Sequence, residues 1–182
     1  MVEEFEIISL SILIDVAKKE GVLDKVSALL FSFKCKKNLD EEIFLHQKAI
    51  LFEKQNKART YLVFHKNSLI AFFSLSFKSI EFDNISKTQK KKLTAGELEA
   101  NTYTGYLIGH IAKRDDIEYK LGSFIVDSAF ARFLKAQNII GGRLVYLDCK
   151  NDYRLKSFYE NLGFKYFQTS SKTGLLQYYK KL

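Results

Sequence analysis

The chain has 182 residues, 47% hydrophobic and 27% charged, and a formal net charge of +8. That is long enough for a single domain with a proper core, residues 1–182, in which residues 1–37 read as an N-terminal extension packed on the rest. No apolar run approaches the roughly 18 residues that a membrane span needs, and the acidic start Met1-Val2-Glu3-Glu4-Phe5-Glu6 is unlike a secretory leader.

The two cysteines, Cys35 and Cys149, stand far apart without ligand-like neighbours, so reduced thiols in the cytoplasm and no metal site are expected. The charge excess favours anionic partners, either nucleic acid or the phosphates of a cofactor. Proline is absent, so turns rely on Gly, Asn, Asp and Ser.

Residues 5–37 read as a strand followed by helical pieces. Residues 39–55 read as one helix with Phe44, Leu45, Ala49 and Phe52 inward, and Asp40-Glu41-Glu42 at its positive end. Residues 59–78 read as a hairpin in which Leu69, Ala71, Phe73, Leu75 and Phe77 share one face, with Lys66-Asn67-Ser68 turning it. Ser86-Lys87-Thr88-Gln89 has the form of a capping box opening a short basic helix with Lys90, Lys91 and Lys92. That run is either a solvated face or a steering patch for a polyanion.

Residues 101–113 read as a strand, 121–137 as a helix, and 143–149 as a buried strand. A further helix follows Asn151, with Leu155, Phe158, Tyr159 and Leu162 on one face and Gly163 at its C-cap, before strands at about 164–169 and 174–180. Strand–helix–strand–helix–strand in this half implies a mixed α/β sheet. His46 and His65 carry no pattern and read as surface residues.

The segment from Asn151 to Phe164, with its Phe-Tyr-Glu-x-x-Gly-Phe core, resembles the C-terminal signature of the GNAT acetyltransferases. The same residues also suit an ordinary core helix. Three more segments extend the resemblance: Phe44-Leu45-His46-Gln47-Lys48-Ala49, then Ala58-Arg59-Thr60-Tyr61-Leu62-Val63, then Leu69-Ile70-Ala71-Phe72-Phe73-Ser74-Leu75-Ser76. In this order they look like the toxin-type subgroup that acetylates the α-amine of aminoacyl-tRNA. The resemblance covers roughly residues 30–168, and the first thirty residues and 81–102 depart from the compact toxins.

The resemblance implies a GNAT-like acyl-CoA N-acyltransferase fold, a mixed central sheet flanked by helices, and acetyl-CoA as cosubstrate. Tyr159 then corresponds to the acid that protonates the departing thiolate. Ile111, Ala112 and Lys113 hold the pantetheine arm. Tyr119, Lys120, Leu121, Gly122 and Ser123 lie at the pyrophosphate, where a helix N-terminus offers free N–H groups. Asn151 and Phe158 complete the cofactor side, while His110, Lys90, Lys91 and Lys92 are candidates on the substrate side. The family's loop pattern, Gln/Arg-x-x-Gly-x-Gly/Ala, is met at Gly122 but replaced at Ile117 and Lys120. The implied partners are acetyl-CoA, tRNA, an antitoxin protein and a second copy of the chain, and no membrane. Two alternatives stay open: a solitary acetyltransferase acting on a small-molecule or protein amine, and a GNAT-shaped binding module without turnover.

Overall fold

The structure, a computed structural model, describes residues 4–83 and 85–182, so Asn84 and the first three residues of the acidic start lie outside the described residues. Seven strands hydrogen-bond in the order β1-β2-β3-β4-β5-β7-β6. They are β1 Glu6–Ser9, β2 Arg59–His65, β3 Ser68–Glu81, β4 Thr102–Lys113, β5 Leu144–Cys149, β6 Lys165–Thr169 and β7 Leu176–Lys181. β1, β2 and β3 pair antiparallel, as do β5 with β7 and β7 with β6. β4 and β5 run parallel, with Tyr106 opposite Val145 and Leu107 opposite Tyr146. This is the mixed α/β class that the sequence predicts. The chain divides into two compact units, 1–76 with 109–127, and 77–108 with 128–182.

In the first unit, α1 Leu10–Lys19 and α2 Leu23–Ser32 follow β1. Leu10, Ile14 and Leu30 pack with Phe44, Leu45, Leu62 and Phe72 in one apolar cluster. The helix expected over 39–55 is three pieces in succession: α3 Leu39–Ile43, a π-turn Phe44–Lys48, and α4 Ala49–Lys54. The Ala49 N–H donates to the Phe44 carbonyl five residues back. Phe44, Leu45 and Ala49 are all buried, as the inner face expected of one helix requires, and the wide turn narrows the arc they span. α4 is fastened to β2 by Glu53, whose carboxylate accepts from the Thr60 N–H at 2.5 Å and from Arg59 at 3.0 Å.

The β2–β3 hairpin turns at Lys66 and Asn67, with φ of 46° and 64°, the left-handed pair that a two-residue hairpin turn requires. One-sided burial does not hold: Leu69 through Leu75 are all buried, because β3 lies inside the sheet with both faces covered. Phe77, expected inward, is 48% exposed.

In the second unit, Ile80, Leu93, Leu144, Tyr146 and Phe167 form the apolar cluster. α5 Lys87–Leu93 opens with the expected capping box, Ser86 and Gln89 each bonding the other's backbone N–H. α6 Gly122–Ile140 begins in the first unit and ends in the second. Its end is latched by the buried Tyr106, whose hydroxyl donates to the Gly141 carbonyl. A Cβ on Gly142 would lie 2.6 Å from that tyrosine ring, and its φ is +108°. α7 Tyr153–Asn161 is capped by Asp152. The Asp152 carboxylate accepts from the N–H groups of Arg154 and Leu155 at 2.9 and 3.1 Å.

Candidate active site

The first half of the expected site is the end of β4, the following loop and the start of α6, all in the first unit. Ala112 is buried, and Ile111 and Lys113 are half-buried. The Lys113 ammonium donates to the carbonyls of Ile117 and Tyr119 at 2.5 and 3.1 Å. It folds the loop back on the strand and is not turned toward a phosphate. The Arg114 N–H donates to the Ile70 carbonyl at 2.8 Å, and the Asp115 carboxylate accepts from the Lys36 N–H at 2.7 Å. Arg114 is bound in bidentate fashion to Asp116 at 2.9 and 2.5 Å, and this hydrogen bonding holds the Asp116 carboxyl below its usual range.

The exposed cation remaining at the helix entry is therefore Lys120. Buried Leu121 caps α6 with its carbonyl, accepting from Ile125 at 2.9 Å. That leaves the N–H groups of Gly122, Ser123 and Phe124 without a helical acceptor at the positive end of a 19-residue helix. Such a terminus fits a pyrophosphate.

The loop is braced from the extension. Phe5 meets His65, Tyr119 and Phe124 at 5.6, 5.6 and 5.3 Å. His65 and His46 are accordingly half-buried rather than surface residues, and His46 Nε2 bonds the Phe33 carbonyl at 2.9 Å.

His110 is the residue whose surroundings sequence reasoning missed. Its Nδ1 lies 2.9 Å from the Glu41 carboxylate, and its ring stacks on Phe44 at 3.6 Å and 12°. Glu41 lies in α3 and Phe44 opens the π-turn that follows it, so that segment supplies both partners. A carboxylate on Nδ1 fixes the ring and leaves Nε2 to accept a proton. The contact joins positions 69 apart in sequence, and no local pattern announces it.

The second half is α7, in the second unit. None of its residues is fully buried, and Leu155 of the expected stripe is 38% exposed. Phe158 and Tyr159 are half-buried. Tyr159 packs edge-on against Phe158 at 5.0 Å and Phe164 at 5.8 Å. The helix ends in a Schellman motif: Phe164 N–H to Tyr159 carbonyl at 3.0 Å, Gly163 N–H to Glu160 carbonyl at 2.9 Å, with Gly163 at φ +83°. Buried Tyr178 donates to Glu160 at 3.1 Å, tying the helix to β7. Asn151 is exposed, and its side-chain carbonyl accepts from Lys156 at 3.5 Å.

Of the basic run, Lys91 and Lys92 are exposed and Lys90 is half-buried. Neither cysteine is poised as a nucleophile, since burial pushes both thiols up, Cys149 to about 11.

No protein-family model matches the sequence, and no curated protein matches it. Solved structures do. A tyrosine-to-phenylalanine mutant of KacT superposes with TM-score 0.71 and 17% identity, over 98% of this chain and 95% of that one. AtaT complexed with acetyl-methionyl-tRNAfMet gives 0.67 and 16%, over 95% and 94%. A tyrosine-to-phenylalanine mutant of the AtaT toxin, bound to the C-terminus of the antitoxin AtaR and acetyl-CoA, gives 0.61 and 13%, over 84% of each chain. The chain thus has the fold of these toxins, the GNAT-like acyl-CoA N-acyltransferase fold.

Proposed function

We propose that this protein is an N-acetyltransferase that moves the acetyl group of acetyl-CoA to a primary amine, the α-amine of aminoacyl-tRNA. The carrying observation is the likeness, over nearly the whole chain, to AtaT complexed with acetyl-methionyl-tRNAfMet. The formal charge of +8 suits a polyanionic acceptor. An antitoxin protein as a further partner is supported by the AtaT toxin bound to AtaR.

Bound acetyl-CoA supplies an activated thioester. The free N–H groups of Gly122 and Ser123, with Lys120 beside them, hold its pyrophosphate, and the backbone of Ile111, Ala112 and Lys113 holds the pantetheine and polarises the carbonyl. His110, set by Glu41, accepts the amine proton as nitrogen attacks. As the carbon–sulfur bond breaks, the Tyr159 phenol donates its proton to the sulfur.

The test is incubation with radiolabelled acetyl-CoA and bulk aminoacyl-tRNA. Label should enter the RNA and leave as an N-acetyl amino acid on ester hydrolysis, and His110→Ala should slow the transfer. Label passing to a polyamine or a protein and to no charged tRNA would replace the acceptor. The substitutions at Ile117 and Lys120 favour, as a second reading, a binding module without turnover. That reading requires that no amine be acetylated.

A further inference from the structure

The second unit contains a cavity of about 420 Å³ lined by Lys92, Gly163, Lys165, Tyr179, Lys180 and Lys181. Its construction follows from the packing. Leu93 of α5 is buried in the cluster with Tyr146 and Phe167, against which Tyr179 packs, and this seats Lys92 beside the strands. Lys165 of β6 stands opposite Tyr179 of β7, and Lys181, two residues on, falls on the same face as Tyr179. Phe167 meets the Tyr179 ring edge-on at 5.9 Å and fixes it between those lysines. Lys180 also lines the cavity, but its ammonium is already engaged: it donates to the Leu162 carbonyl at 2.8 Å and lies 4.8 Å over Phe130.

Lys92, Lys165 and Lys181 thus line one concavity together with Lys180, whose ammonium is held by Leu162, and the lining carries no carboxyl side chain. None of the four has a carboxylate partner among the described residues. Like charges held together repel, and a bound polyanion relieves that repulsion. The lining also lacks aliphatic side chains, which a surface seated in lipid would present. Lysines, as point charges without the planar fork of arginine, suit phosphodiesters read without regard to sequence.

We infer that this cavity seats the phosphodiester backbone of the RNA acceptor; the inference rests on the aminoacyl-tRNA reading above. It also sorts the α5 run. Successive helical residues point in different directions, and of Lys90, Lys91 and Lys92 it is Lys92 that reaches the cavity.

The experiment compares the wild type with Lys92→Gln/Lys165→Gln/Lys181→Gln, leaving Lys180 to hold α7. A charge-matched control, Lys19→Gln/Lys25→Gln/Lys54→Gln, alters exposed lysines of the first unit. In filter binding with bulk tRNA, the cavity variant should bind on the order of tenfold more weakly at low salt. Its log–log salt slope should be shallower by about two to three, while the control stays close to wild type. Stabilisation by acetyl-CoA should be unchanged in both, which also reports an intact fold. Equal weakening in the two variants would mean net charge alone, and tRNA binding unaffected in the cavity variant would remove the site. Loss of binding only to phosphatidylserine vesicles would make it a lipid surface; each of these overturns the inference. Acetyl transfer to charged tRNA separates the two claims. If the wild type acetylates it and the cavity variant does so with unchanged KM, the acceptor stands and the cavity falls. If the wild type binds RNA through these lysines but acetylates no charged tRNA, the cavity stands and the acceptor falls.

Discussion

The Tyr159 ring meets Phe164 edge-on at 5.8 Å, and the Phe164 N–H closes the helix on the Tyr159 carbonyl at 3.0 Å. One residue beyond the helix thus fixes both the backbone and the ring of the tyrosine. Phe164 is itself held by the Phe130 ring at 5.8 Å. The arrangement locks the ring on a helix that is otherwise loosely buried.

Tyr159→Phe keeps that ring contact and removes only the hydroxyl. Thermal stability should stay near wild type, and acetyl transfer should fall by about 10²-fold, the low end for a lost general acid. Steady-state turnover alongside a melting curve checks it. Unchanged turnover would reduce Tyr159 to a packing residue.

Acetyl-CoA should raise the melting temperature, because a ligand bound only by the native state stabilises it by mass action. Gly122→Glu places a carboxylate among the free N–H groups of α6 and should abolish the shift. A full shift in the variant would move the pyrophosphate away from this terminus.

Gly142→Ala should destabilise the second unit by roughly 2–4 kcal/mol, combining a left-handed backbone with overpacking. The added methyl would lie 2.6 Å from the Tyr106 ring, which is buried and flanked by Phe77 and Phe133. Chemical denaturation measures the loss. Stability equal to wild type would show that Tyr106 has room to withdraw.

Glu53 gives a signed pH dependence. Burial lifts its carboxyl above the usual value, outweighing the Thr60 N–H and Arg59, which lower it. A raised native pKa means that the folded chain holds the proton more tightly than the unfolded one. The contribution to stability is then full below the unfolded pKa of about 4.3 and is lost as pH rises through the native value. The melting temperature of wild type relative to Glu53→Gln should be most favourable below about pH 4 and decline above it. A difference that grows with pH would reverse the assignment.

Local signals carried most of the fold into the sequence. The capping box at Ser86, the left-handed Gly163 and the strand at 144–149 are each short-range, and each stands where the sequence puts it. The failures are long-range. The alternation over Leu69–Phe77 suggested one buried face, but a strand inside the sheet is covered on both. The π-turn leaves no local mark, since five residues of ordinary helical character serve either turn equally well. For the candidate site, the strand end, the helix entry and the α7 tyrosine were legible as a resemblance. The Glu41–His110 contact was not, because sequence distance hides it. Lys165 and Lys181 belong to no motif in the sequence, and only the β6–β7 register and the buried Leu93 bring them beside Lys92.

The π-turn has a bearing on how this helix tolerates insertions and deletions. A wide turn is an α-helix that has absorbed one extra residue, so α3 and α4 are out of phase by about 100° relative to an uninterrupted helix. Glu41, upstream, must face His110, and Glu53, downstream, must face Thr60. Removing one residue between Phe44 and Lys48 would regularise the helix and leave both carboxylates facing their partners, whereas removing two would swing one of them away by about 100°. The segment is a buffer between two fixed anchors, holding them in register while carrying one residue more than a regular helix needs there.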